Sequence, residues 1–471
     1  FRSINKEEKM KKLFVTFLCI AMVAVFLPAM AFAATTTEVG ADLNEAIASA
    51  QNGDTLKLTA DITEDITVPQ GKTVTIDLNG HKITAVKDHT ITNNGVLTVV
   101  GNGTVENQVK AKAALYTAPG AETVLNNGTF TGNTWYVIKN LGTLTIDGAT
   151  VDQQDAGSSG IDNGYYGNLG NDCGVAYPAS ANVKLTIKSG YLSGGMNTVK
   201  NDDFGVLVVE NGVFSNTSGP TILNWNETSI YGGSFTVNDS SKAVIANGSL
   251  ANDADKGNLT IYGGEFTASN DGNNAIFGYG QGGKEGGAVE VKGGAFTGYV
   301  GSAADYPYTP TIEGGAFTNL DRETVVVNSD ASANFVTEGE KIEVVGSVYI
   351  NAALEELEKE LTPEELASVK LEITEAAAGV EFKVPSGITV KNLTEENVNV
   401  NDETLGADQE LVVKGPETDT PPAGDNDDGN KNEEPKKDTV PKTSDVNNML
   451  PWVMVMALTA GAAVAFKKKE N

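Results

Sequence analysis

Apolar and polar residues alternate in short bursts along most of this chain, and the bursts repeat. The clearest phrase is Gly142-Thr143-Leu144-Thr145-Ile146-Asp147-Gly148-Ala149-Thr150-Val151. It returns as Gly257-Asn258-Leu259-Thr260-Ile261-Tyr262-Gly263-Gly264-Glu265-Phe266-Thr267, with related versions at 95–105, 205–214 and 288–296. Looser copies surround Val74, Val124, Leu185, Ile230 and Ile312. Each phrase reads as a strand with every second side chain turned inward, a glycine turn, and a second short strand ending on Phe, Val or Leu. About ten copies fit, at spacings of roughly 20 to 30 residues, and none carries a helix-length apolar period. The connections are therefore not crossover helices, and each copy predicts one coil of a parallel β-helix. Equivalent residues of successive coils then stack about 4.8 Å apart. Phe214, Phe235, Phe266, Phe296 and Phe317 fall into one internal column.

A second register lies just upstream of each phrase: a branched residue, any residue, then asparagine. It holds Asn93, Asn140, Asn163, Asn201, Asn224 and Asn247. Asparagine tolerates tight corners, and its amide can bond the amide of the next coil, so these positions predict a structural ladder rather than a ligand site.

On these two registers the chain resembles the pectate-lyase-like family of right-handed parallel β-helix proteins, over residues 60–336. The resemblance implies an all-β, right-handed, single-stranded parallel β-helix of about ten coils. Residues 34–59 supply a first strand and an amphipathic capping helix, Asp42 to Ala50, with Leu43, Ala46, Ile47 and Ala50 on one face. Residues 337–414 read as a small α+β domain, with helices at 352–361 and 363–369. The second opens on a capping box at Thr362-Pro363-Glu364-Glu365.

Charge and chemistry narrow the function. Of 471 residues, 62 are acidic and 33 basic, a formal net charge of -29 that repels nucleic acid and anionic lipid. In the resembling family, lyases use carboxylate-held calcium with an Arg or Lys base, and hydrolases use clustered Asp. Here the only arginine past the N-terminal segment is Arg322, and the two histidines, His81 and His89, sit in the first coils without a partner cluster. Asp202-Asp203 is the most suggestive carboxylate pair, but adjacent residues of an extended chain point to opposite sides. No catalytic residue, metal site or cofactor is expected. The alternative is a polysaccharide-cleaving hydrolase or lyase, and a second alternative is a passive surface stalk or coat.

Coil length varies at one corner only, between the asparagine and the next strand: at 164–182, 202–204, 248–256, 278–287 and 301–308. Insertions at one position of a repeat project from one face of the stack, often the binding face. This face gathers Tyr165, Tyr166, Tyr177, Trp225, Tyr279, Tyr306 and Tyr308, flat rings suited to neutral sugars of host or microbial glycans. The competing reading is that these loops carry aromatics only to pack on the solenoid flank.

The two ends read as addresses. Residues 1–9 look like an upstream extension before Met10. Residues 10–33 have a basic start, an apolar stretch and Ala31-Phe32-Ala33, a secretory signal with cleavage between Ala33 and Ala34. Residues 415–439 are polar and Pro-rich, a linker able to span a wall. Within 440–471, Val440-Pro441-Lys442-Thr443-Ser444 precedes an apolar segment, 449–466, and Lys467-Lys468-Lys469. This order resembles the Leu-Pro-x-Thr-Gly sorting signal read by sortases, with Val for Leu and Ser for Gly. The resemblance implies cleavage between Thr443 and Ser444, covalent attachment to peptidoglycan, and 449–466 as a transmembrane helix until then. Cys173 is the one cysteine left after signal removal, which rules out an internal disulfide. The expected protein is extracellular, wall-anchored and non-enzymatic, an adhesin or glycan-binding display module.

Overall fold

Alternating burial along each strand decides the architecture. In Thr73–Asp77, Val74 and Ile76 are buried and their neighbours are not, and Val96–Val100 repeats this one rung on. Each strand can therefore close on the next only through its backbone, and the result is a parallel β-solenoid with three faces. The computed structural model describes residues 34–166, 171–172, 174–249, 257–280, 287–302, 308–337 and 340–415.

The first face runs as a parallel ladder from Thr36–Val39 through Thr55–Leu58 and Thr73–Asp77 to Thr311–Ile312 and Val326–Val327. The second face carries the strand after the glycine turn, and the third carries the asparagine triplets, Ile91–Asn93 through Ile245–Ser249. The solenoid has about 14 turns rather than about ten. The stack already begins on Thr36–Val39, and its last rungs follow more closely in sequence than the spacing used to recognise copies.

Helix α1, Leu43–Ser49, connects the first two rungs and buries Leu43 and Ile47 in the solenoid core. The phenylalanine column forms inside. Centroids from Phe214 through Phe235, Phe266 and Phe296 to Phe317 are 4.5, 4.8, 4.8 and 5.1 Å apart, with rings within 14° of parallel. The turn before this column needs glycine. Gly264 has φ +113°, and a Cβ there would lie 3.0 Å from the carbonyl oxygen of Gly233 one rung below.

On the second face parallel stacking stops at Gly315–Leu320, whose free edge pairs antiparallel with Glu340–Val345. That strand belongs to the C-terminal α+β module, which has its own core around helix α2, Ser347–Glu360, and strand Lys370–Ala376. Helix α3, Pro363–Leu366, begins with the reciprocal Thr362/Glu365 capping box. The module covers the last edge of the solenoid, which would otherwise be a template for further strands. Among the described residues no helix is long and apolar enough to cross a membrane. The expected sorting signal with Thr443 and Ser444, the expected membrane segment 449–466, the expected linker and signal peptide, and Cys173 lie outside the described residues.

Candidate functional site on the third face

The third-face triplets point their first and last residues inward and their middle residue outward. Inward, the amides of Asn140, Asn163, Asn201, Asn224 and Asn247 join head to tail: each Nδ2 donates to the next Oδ1 at 2.7, 2.8, 2.9 and 2.7 Å. Asn93 stands apart because Thr117 holds its register position in the intervening coil. It donates instead to the carbonyl of Glu122 and to Thr123. A second set of buried amides, Asn107, Gln153 and Asn216, closes the corner between the second and third faces. Sequence reasoning missed these because they do not share one residue type.

Outward, the same register stacks Thr92, Tyr116, Lys139, Asp162, Lys200, Leu223 and Ala246. Three neighbouring rungs thus carry Lys, Asp, Lys, and all three side chains are buried. Lys139 Nζ donates to Asp162 Oδ2 at 2.6 Å and to the carbonyl of Gly164 at 2.7 Å. Lys200 Nζ donates to Asp202 Oδ2 at 2.5 Å and lies 3.9 Å from the ring centre of Tyr166 and 4.2 Å from that of Trp225. A cation between two rings is held by their quadrupoles. Tyr177 donates its hydroxyl to Asp203 Oδ2 at 2.6 Å.

Asp202 and Asp203 lie just past the end of a strand rather than within one. The chain leaves the strand at Asn201, Asp203 pairs its backbone with Tyr165, and Phe204 takes φ +63°. Both residues are buried. Burial, then the charge of Asp162, pushes the Asp202 carboxyl well above the usual range. Oδ1 of Asp162 and Oδ1 of Asp203 are buried without a hydrogen-bond partner among the described residues.

The predicted aromatic platform divides. Tyr166 exposes 38% of its surface, while Trp225, stacked 6.3 Å away, exposes only 7%. Tyr165 is buried edge-on against Tyr177 and Phe204, and Tyr177 is half-buried. Tyr308 is not on the surface: it lies in the solenoid core with its hydroxyl 3.2 Å from the carbonyl of Ile276. Tyr306 and the side chain of Tyr279 lie outside the described residues. Tyr165, Tyr177 and Phe204 pack with Leu141 and Val183 against the flank of the solenoid, so these rings fill the corner instead of facing solvent.

Lower on the same face, His89 stacks on Tyr116 at 5.1 Å and accepts a hydrogen bond at Nδ1 from the Ala113 amide, 2.9 Å. Burial, with Lys112 nearby, lowers its pKa to about 4. A cleft of about 410 Å³ opens beside Tyr116, between Gln70, Asn94, Pro119 and Val175. His81 faces Asp61 at 3.4 Å. Arg322 bridges Glu343 and Glu375 of the C-terminal module, so it fastens the end of the solenoid. Among the described residues no group of three or more His, Cys, Asp or Glu is placed to hold a metal. No protein-family model, curated protein or solved structure matches this chain.

Proposed function

We infer that this is a wall-anchored surface protein whose solenoid displays a non-enzymatic, glycan-binding third face. The observation that carries the binding reading is the Tyr166–Lys200–Trp225 sandwich: a preformed ring pair, fixed by a buried cation, with the outer ring open to solvent. A ring held this way loses little freedom when a sugar stacks on it. The cleft beside Tyr116 lies on the same face and offers amide and carbonyl groups for hydroxyls. Anchoring rests on the sequence alone, on Ala31-Phe32-Ala33 and on Val440 to Lys469 with sortase and peptidoglycan as its partners.

Burial weighs for binding over cleavage. A glycosidase acid must touch the glycosidic oxygen, and Asp162, Asp202 and Asp203 are 0, 0 and 2% exposed. The test is a screen of the secreted protein against mucin, plant and microbial glycans, scored for retention and for new reducing or unsaturated ends. Retention that Tyr166→Ala abolishes, without new ends, supports the reading. Retention unchanged by Tyr166→Ala removes the ring pair as the platform, and new chain ends overturn the non-enzymatic reading.

A further inference from the structure

The buried Lys139–Asp162 contact fits neither a sugar platform nor an ordinary ion pair. The two residues are register partners on adjacent rungs, both 0% exposed, with Nζ and Oδ2 2.6 Å apart. A buried ion pair repays its desolvation only when the remaining lone pairs are satisfied. Asp162 Oδ1 has no hydrogen-bond partner among the described residues. Proton transfer from Nζ to the carboxyl across the 2.6 Å contact gives a neutral amine beside an uncharged carboxyl group. Those are the reacting forms of an amide condensation.

We propose that Lys139 and Asp162 are joined by an amide formed within the folded chain. Nζ of Lys139 attacks Cγ of Asp162, and the nitrogen gives up a proton as the carbon becomes tetrahedral. One carboxyl oxygen then takes up a proton and leaves as water, and the carbonyl re-forms as the Lys139–Asp162 amide. Amine plus carboxylic acid give amide plus water, so no oxidant or outside reactant is needed. Asp202 is the proton carrier, accepting from nitrogen and donating to the departing hydroxyl. Its carboxyl is buried, and the charges of both Asp162 and Lys139 act on it.

Two physical effects drive the step. The fold holds nucleophile and carboxyl in contact, and well-oriented groups reach effective molarities on the order of 10⁵–10⁸ M. Exclusion of water from the site disfavours the reverse hydrolysis. The product has no buried charge at either residue, and one of the two carboxyl oxygens is gone. It ties the coil of Ile138–Asn140 to that of Ile161–Asn163, where the chain departs on its longest excursion, 164–182.

The test is peptide mapping of the full secreted chain, digested with a protease that cuts at aspartate. Asp147 and Asp152 both lie between the two residues. The expected result is one branched peptide carrying Lys139 and Asp162, lighter by one water than the two segments together. Lys139→Arg should return two separate peptides, and Asp202→Asn should leave most of the protein unlinked while its circular dichroism is unchanged. Recovery of both segments separately from the native, folded protein overturns the proposal. So does a branch that maps instead to Lys200 and Asp202. A fully linked Asp202→Asn protein overturns the role given to Asp202.

Discussion

Two columns run up this solenoid under the same geometry and obey opposite rules. Inside, Phe214, Phe235, Phe266, Phe296 and Phe317 repeat one residue, ring on ring. Outside, on the third face, Lys139, Asp162 and Lys200 alternate in sign. Rungs about 4.8 Å apart bring each side chain against its own equivalent. Dispersion and ring offset reward identity. Like charges that close in a water-poor setting repel strongly, so a buried charged column is stable only when it alternates. The asparagine ladder is the third case: an amide is donor at one end and acceptor at the other, so identical residues satisfy each other.

The comparison breaks most severely if the alternation is removed. Asp162→Lys would place three cations on consecutive rungs of a buried face. It should cost more than about 5 kcal/mol and leave the protein unfolded, as read by circular dichroism and by yield of soluble protein. Truncating the apolar column should cost less. Phe266→Ala opens a cavity between two remaining rings and is expected to lower stability by about 4 kcal/mol in denaturant unfolding. Loss of under about 1 kcal/mol would mean the stack is not cooperative.

The smallest effect sharpens the contrast by adding a charge to a neutral stack. His89 has a folded pKa of about 4 against an ordinary 6.5, so the folded state binds fewer protons between those values. Its contribution is fully present above about pH 6.5 and is lost as pH falls toward 4, about 3 kcal/mol in all. His89→Gln should flatten that part of the acid limb in a stability–pH profile. An unchanged profile would show that the buried ring is not the group responsible.

Much of the fold was legible because a solenoid makes long-range contacts predictable from a period. The recurrent Phe and Asn positions marked their own neighbours, and the capping box at Thr362 and Glu365 marked a helix start. The coil number was underestimated because the terminal rungs lack the full phrase. The site was less legible. Lys139, Asp162 and Lys200 occupy the free middle position of triplets whose asparagine drew attention, yet the alternation of sign there was a usable signal. Tyr308 reads as a loop ring but lies in the core, where its hydroxyl donates to the Ile276 carbonyl.

The sequence by itself determined the periodic part of this protein: a parallel solenoid, the order of its columns, and the corner where insertions emerge. These follow from nearest-neighbour contacts that each repeat makes in the same way. Only the tertiary structure decided which outward residues would be buried. That depends on how the non-repeating corner loops lie across the third face, and no period constrains them. Residues 23 and 38 apart in the chain, such as Asn140 and Asn163 or Asn163 and Asn201, meet on neighbouring rungs. The charges beside them leave water only because a loop covers them there.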